Sequence, residues 1–138
     1  MGGGFYKASM KNDLVSFGST AAELHAFLLK TGMAGKTICN ISLAFEEMAT
    51  NVLKYSYDDA EEHFLDIRIE IGESCVIMTL IDDGHEFDPT NRPAPDIGLD
   101  LLRRPLGGLG IYLTGKVSES MEYSRTGGRN ILKIKIKK

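Results

Sequence analysis

The sequence predicts a single α+β domain, a two-layer sandwich in which helices pack on one face of a mostly antiparallel, mixed sheet. Two observations carry this. Near His63 the hydrophobic period changes from three-and-four spacing to strict alternation, as expected where helices give way to strands. And 138 residues with 43% hydrophobic content suffice for one core that needs neither disulfide nor metal to hold it.

Phe5 to Lys11 reads as an opening strand, preceded by the glycine-rich leader Met1-Gly2-Gly3-Gly4, with the domain proper spanning residues 5–138. After a turn around Gly18, Thr20-Ala21-Ala22-Glu23 has capping-box spacing and predicts a helix start. Leu24, Phe27 and Leu28 form that helix's apolar stripe, and Gly32 stands where a left-handed residue ends it. A second helix is expected over about Lys36 to Tyr55, because Ile38, Ile41, Phe45, Met48 and Val52 repeat along one face.

Beyond His63, Leu65, Ile67, Ile69 and Ile71 alternate with Phe64, Asp66, Arg68 and Glu70, a half-buried strand. Gly72-Glu73-Ser74 turns the chain into a second, more apolar strand from Cys75 to Ile81. Residues 83 to 107 hold all four prolines and read as a long loop with a short helical piece near Asp100 to Arg104; loops of this length in small domains usually carry function. A short helix after Gly110 would turn Ile111, Leu113 and Val117 inward. Ser118–Ser124 and Asn130–Lys137 read as a closing hairpin turned at Thr126-Gly127-Gly128, with Lys133 and Lys135 on its solvated face.

Several function classes are disfavoured. A formal charge of −3 gives no basic footprint for nucleic acid. No apolar run approaches a membrane span, and the N-terminus lacks the basic start and apolar run of a signal peptide. Cytoplasmic location is the expectation. Cys39 and Cys75 fall in apolar-rich segments without metal-ligand spacing, and are read as buried thiols acting as small hydrophobes. His25, His63 and His85 lack partner spacing for a metal or phospho-acceptor role.

Three separated segments together describe a nucleotide pocket. On the second helix, Glu47, Asn51 and Tyr55 share one row, with Lys54 on a neighbouring azimuth; an amide oxygen beside a carboxylate suits Mg²⁺. Asp82-Asp83-Gly84 closes an apolar strand, so the Asp82 carboxylate can accept from the exocyclic amine of adenine. Guanine would present an acceptor to that acceptor, at a cost of about 1–3 kcal/mol. Gly84 would let the backbone pass close to the purine. Gly107-Gly108-Leu109-Gly110 leads into a helix whose unpaired N–H groups suit phosphates. It is not a Walker A loop, since no Lys-Ser/Thr follows. Singly, each segment has a plain structural explanation; their order and setting join them.

With these residues in place, the chain resembles the GHKL ATPases, which share the Bergerat ATP-binding fold, and within them the RsbW/SpoIIAB-like serine kinases that act as anti-sigma factors. Glu47 and Asn51 match the Glu-x-x-x-Asn N-box, Asp82-Asp83-Gly84 the Asp-x-Gly of the G1 box, and Gly108-Leu109-Gly110 the G2 box. The tail from Tyr123 to Leu132 is similar to that subfamily's closing hairpin. The resemblance implies ATP and Mg²⁺ as cofactors: Asn51 to hold Mg²⁺, Glu47 as general base, Lys54 to reach a phosphate, Asp82 and Gly84 for adenine, and Gly107, Gly108, Leu109 and Gly110 for the phosphates. It further implies an ATP lid from about Pro89 to Leu106; Arg103 or Arg104 there could reach the γ-phosphate, although a solvated lid face is the favoured reading of both. The implied partners are an anti-anti-sigma (STAS) protein as substrate, a sigma factor and a second copy in a homodimer. Two departures stand out: Glu86 replaces the second glycine of Asp-x-Gly-x-Gly, and Leu106 the first glycine of the longer G2 pattern. A rival expectation is an ATP-binding module that binds partners without phosphoryl transfer.

Overall fold

The computed structural model describes residues 4–91 and 108–138. The elements run β1 (Gly4–Lys11), α1 (Leu14–Lys30), α2 (Gly35–Tyr55), β2 (Phe64–Ile71), β3 (Cys75–Asp82), a short 3-10 turn (Pro89–Asn91), α3 (Gly108–Val117), β4 (Ser120–Thr126) and β5 (Arg129–Lys137). The five strands form one sheet in the order β1-β2-β3-β5-β4. Every pairing is antiparallel, so no parallel pair occurs among the described residues.

Strand alternation decides which side chains meet the helices. One row across the sheet reads Tyr6, Ile69, Met78, Ile134, Met121, and the next Ala8, Ile67, Leu80, Leu132, Tyr123. Both rows pack into one hydrophobic cluster with Leu24 and Leu28 of α1, Ile41, Phe45 and Met48 of α2, and Ile111 of α3. Burying each large aliphatic side chain contributes about 1.5–3 kcal/mol, and this shared core fixes the sheet's register against the helices. One row further along the same face stand Asp82, Asn130 and Arg125. The polar end of the sheet therefore lies on the helix-covered side.

The first helix begins earlier than its capping-box spacing suggests. Asp13 is the N-cap, its side chain accepting from the Ser16 N–H at 2.7 Å, and Thr20 is buried mid-helix. An Asp before an apolar residue is as strong a cap as Thr, and Gly18 is tolerated inside the helix because it is exposed. The stop at Gly32 (φ 73°) is as expected, as are α2, β2 and the hairpin turn, where Gly127 (φ 60°) and Gly128 (φ 76°) both adopt positive φ. That pair suits a two-residue hairpin loop matching the strand twist.

Two expectations about burial fail. Cys39 is exposed and Cys75 only half-buried: Cys39 lies off the α2 stripe, and Cys75 takes the sheet face away from the helices. In α3, Leu113 is exposed and Thr114 is buried instead. The helix starts at Gly108 rather than after Gly110, and the Thr114 hydroxyl satisfies itself by donating to the Gly110 carbonyl at 2.9 Å. The helical piece expected near Asp100 to Arg104 lies outside the described residues.

A candidate nucleotide site at the polar end of the sheet

Asn51 and Asp82 line the same cavity. The other lining residues include Met48 and Ser56 of the α2 end, Phe87 and Pro89 of the segment after β3, and Tyr123 and Asn130 of the closing hairpin. α2 supplies Asn51 because that position falls beside the stripe Ile41-Phe45-Met48 and is carried inward with it; it is only 8% exposed. Its Nδ2 has no hydrogen-bond partner. A buried amide nitrogen without a protein partner costs about 1–3 kcal/mol; as a donor it would meet an acceptor atom of a ligand and not a cation. The amide oxygen suits a hard cation that keeps phosphate oxygens and waters for its other positions.

Asp82 is 6% exposed at the end of β3. Its Oδ1 accepts from the Gly84 N–H at 2.9 Å and from the Asn130 amide at 3.0 Å. Burial pushes its carboxyl above the usual carboxylate range, and those two hydrogen bonds oppose the shift. Both bonds fall on Oδ1, so Oδ2 is the oxygen that a ligand's donor would meet. A carboxylate oxygen there can accept from an exocyclic amine.

The cavity measures about 30 Å³, room for one or two waters; an engineered cavity of roughly 150 Å³ is what admits benzene. A purine is larger than the space these residues leave.

The remaining expected residues cluster differently. Gly84 packs on the end of α2: a β-carbon there would lie 2.5 Å from both Ser56 Cβ and the Ser56 carbonyl oxygen, and the His85 N–H donates to that same carbonyl at 2.9 Å. The glycine is thus required by the Ser56 backbone, a reason the sequence does not show. Gly110 packs on Glu47, whose Oε2 would lie 2.1 Å from an added β-carbon. Glu47 is half-buried and faces the first turn of α3 rather than the cavity wall. A carboxylate is favoured there, since the first N–H groups of a helix are unpaired and carry its positive end. Gly108, Leu109 and Gly110 form that turn. Lys54 is exposed and does not line the cavity. Gly107, Arg103, Arg104 and Leu106 lie outside the described residues.

Three residues the sequence does not single out complete the site. Asn130 is 5% exposed and joins Asp82 to Arg125 and Tyr123. The available signal was phase: Asn130 shares the inward alternation of Leu132, Ile134 and Ile136, where a polar residue needs partners. Beside the site, Tyr57 donates to Asp83 Oδ1 at 2.7 Å and stacks on His63 with ring centroids 3.9 Å apart. No described helix is long and apolar enough to cross a membrane.

The profile of the histidine kinase-like ATPase domain matches residues 10–136. A serine-protein kinase RsbW from Listeria monocytogenes is 23% identical over 129 residues, covering 91% of this chain and 81% of the relative. Among solved structures, the RsbU and RsbW domains of Rv1364c from Mycobacterium tuberculosis superpose with a TM-score of 0.68 at 13% identity, covering 98% of this chain and 33% of that one. The histidine kinase AdeS of Acinetobacter baumannii superposes with a TM-score of 0.50 at 16% identity, covering 96% and 67%. At these identities the structural likeness establishes the fold.

Proposed function

This chain belongs to the histidine kinase-like ATPase domain family, and on that premise we propose that it is an ATP-dependent serine/threonine protein kinase acting as an anti-sigma regulatory factor. Its substrate would be an anti-anti-sigma (STAS) protein, its alternate partner a sigma factor, and its working state a homodimer in the cytoplasm. The observation that carries the reading is the common cavity of Asn51 and Asp82. The carboxylate that would accept from adenine and the amide that would hold the cation line one space from two different layers of the fold. The name of the Listeria relative, a serine-protein kinase, supports the phosphoryl acceptor class.

In this reading Asp82 selects the base and Asn51 holds Mg²⁺, which when bound would neutralise phosphate charge. Lys54 and the first turn of α3, from Gly108 to Gly110, would approach the phosphates, with Gly107 preceding them. Phosphoryl transfer asks mainly for positioning and charge compensation. Glu47, one helical turn before Asn51, would orient or deprotonate the incoming serine hydroxyl. A second reading has a specific observation behind it: Glu47 lies against Gly110 and not in the cavity, as in a module that binds ATP and a partner without transfer.

The test is incubation of the purified chain with γ-labelled ATP, Mg²⁺ and a STAS protein encoded nearby. Label on a serine of the STAS protein supports the kinase. ATP binding without transfer to any such protein leaves the binding module, and absence of ATP binding removes both.

A further inference from the structure

The hydrogen bonds that run from β4 through β5 to β3 have one direction only. Arg125 can donate and never accept, and its Nη1 donates to Asn130 Oδ1 at 2.8 Å. Tyr123 donates its hydroxyl to the same oxygen at 2.5 Å. The Asn130 amide is therefore oriented with its NH₂ toward Asp82, where it donates to Oδ1 at 3.0 Å and to the His85 carbonyl at 2.7 Å. A flipped amide would set its NH₂ against the guanidinium and its oxygen against a carboxylate and a carbonyl, so three of its four contacts would set like against like. Arg125 also donates to the Gly84 carbonyl at 3.1 Å, and the Gly84 N–H donates to Asp82 Oδ1 at 2.9 Å. Gly84, just past the end of β3, is thus held at both its carbonyl and its N–H.

From this network we infer that Asn130, oriented by Arg125, is the positioning residue that sets base specificity. It occupies Asp82 Oδ1 with donors and leaves Oδ2 as an acceptor toward the cavity, so that a purine bearing a 6-amino group is preferred over one without it. The inference rests on the adenine role proposed for Asp82. Asn130 lines the same cavity but offers it no free polar atom, since both its oxygen and its amide hydrogens are engaged within the protein. It acts on the base through Asp82. Without the Asn130 donor, Oδ1 keeps only the Gly84 N–H, and the acceptor edge of the carboxylate is held by one hydrogen bond in place of two.

The experiment compares binding of ATP and of purine riboside 5′-triphosphate, which lacks the 6-amino group and keeps the same phosphates. The wild-type protein is expected to favour ATP by about tenfold or more, the size of one hydrogen bond to a charged group. In Asn130→Leu that ratio should fall to within about threefold, and in Arg125→Ala it should fall part of the way. Arg125 has an exposed side chain, so its variant keeps the test open should Asn130→Leu not fold. A merely structural role would weaken both nucleotides equally and leave the ratio intact; that result in both variants overturns the inference. A wild-type protein that binds both nucleotides equally would instead withdraw the adenine role of Asp82, and the inference with it.

Discussion

Gly110 and Glu47 meet so closely that a β-carbon on the glycine would lie 2.1 Å from the carboxylate Oε2 and 3.0 Å from its Cδ. α2 and α3 pack on each other here, and the carboxylate fills the space a side chain would need. The obstructing atoms belong to the tip of a flexible side chain, so Gly110→Ala should displace Glu47 rather than separate the helices. Alanine also gains about 1 kcal/mol of helix propensity over glycine, which offsets the local crowding. Expected is a thermal midpoint close to wild type with transfer to a STAS protein lowered by about a hundredfold, the scale of lost general-base assistance. Glu47→Gln should match it in rate and leave ATP affinity unchanged. Single-turnover transfer with labelled ATP, read beside a melting curve, checks both; full transfer in Gly110→Ala would mean Glu47 does not act from this position.

Gly84→Ala should behave in the opposite way. Its β-carbon would meet Ser56 Cβ and the Ser56 carbonyl oxygen at 2.5 Å each, and a backbone carbonyl at the end of α2 cannot swing aside. Overpacking of this kind costs about 1–3 kcal/mol. The expected result is a lower urea midpoint together with weaker ATP binding, because Ser56 lines the cavity. Unaltered stability would show that the two segments separate easily in solution.

Asp82→Asn separates binding from folding. The substituted amide can still accept from Gly84 and Asn130 at its oxygen, which turns its NH₂ toward the cavity as a donor facing the amine of adenine. ATP affinity should fall by about tenfold or more while the circular dichroism spectrum is retained. Calorimetric titration gives the affinity, and equal binding by the two proteins would end the adenine assignment.

The amphipathic helix and the alternating strands were legible because each buries one face, and a period is a local property of sequence. Asn51 was legible for the same reason: it sits beside the stripe of Ile41, Phe45 and Met48 where a side chain has to face inward. Asn130 was not, although its phase with Leu132 and Ile134 marked it as inward. Its meaning comes from register, which sets it beside Asp82 on one side and Arg125 on the other, and register depends on pairings between distant strands. Asp13 was not legible as a helix start because Thr20-Ala21-Ala22-Glu23 is a more complete motif. The reason for Gly84 was hidden too, since the backbone it must accommodate lies at the end of a helix far away in sequence.

Asn51 also yields a prediction in which stability and function move apart. Its Nδ2 is buried without a partner, and the side chain sits among Met48, Val52 and Leu80 at the cavity wall. Asn51→Leu removes the unpaired donor, keeps a similar volume and improves helix propensity. The variant should be more stable by about 1 kcal/mol and should lose the Mg²⁺-dependent part of its ATP binding. Urea unfolding and titration with and without Mg²⁺ measure the two halves. A less stable variant would show that the amide is satisfied in solution and is not held for a ligand.

His63 ties the chain after α2 to the Asp82-Asp83-Gly84 segment, and its protonation should be visible in stability. Nε2 lies 2.8 Å from Asp59 Oδ1, Nδ1 lies 3.5 Å from Asp83 Oδ1, and the ring stacks on Tyr57. The hydrogen bond to Asp59 holds the imidazole above its ordinary range, against partial burial that lowers it. A group whose folded value is raised stabilises the fold fully below its unfolded value, about pH 6.5 for histidine, and loses that contribution as pH rises through the folded value. Asp59 sets the acid limit: its carboxyl is held low by the same bond, so its share is lost only as pH falls through that lowered value. His63→Gln should therefore be less stable than wild type below about pH 6.5, with the gap narrowing as pH rises through the raised folded value. Urea midpoints of both proteins across this range measure the gap. A difference that does not change with pH would mean that His63 contributes by stacking on Tyr57 and not by its charge.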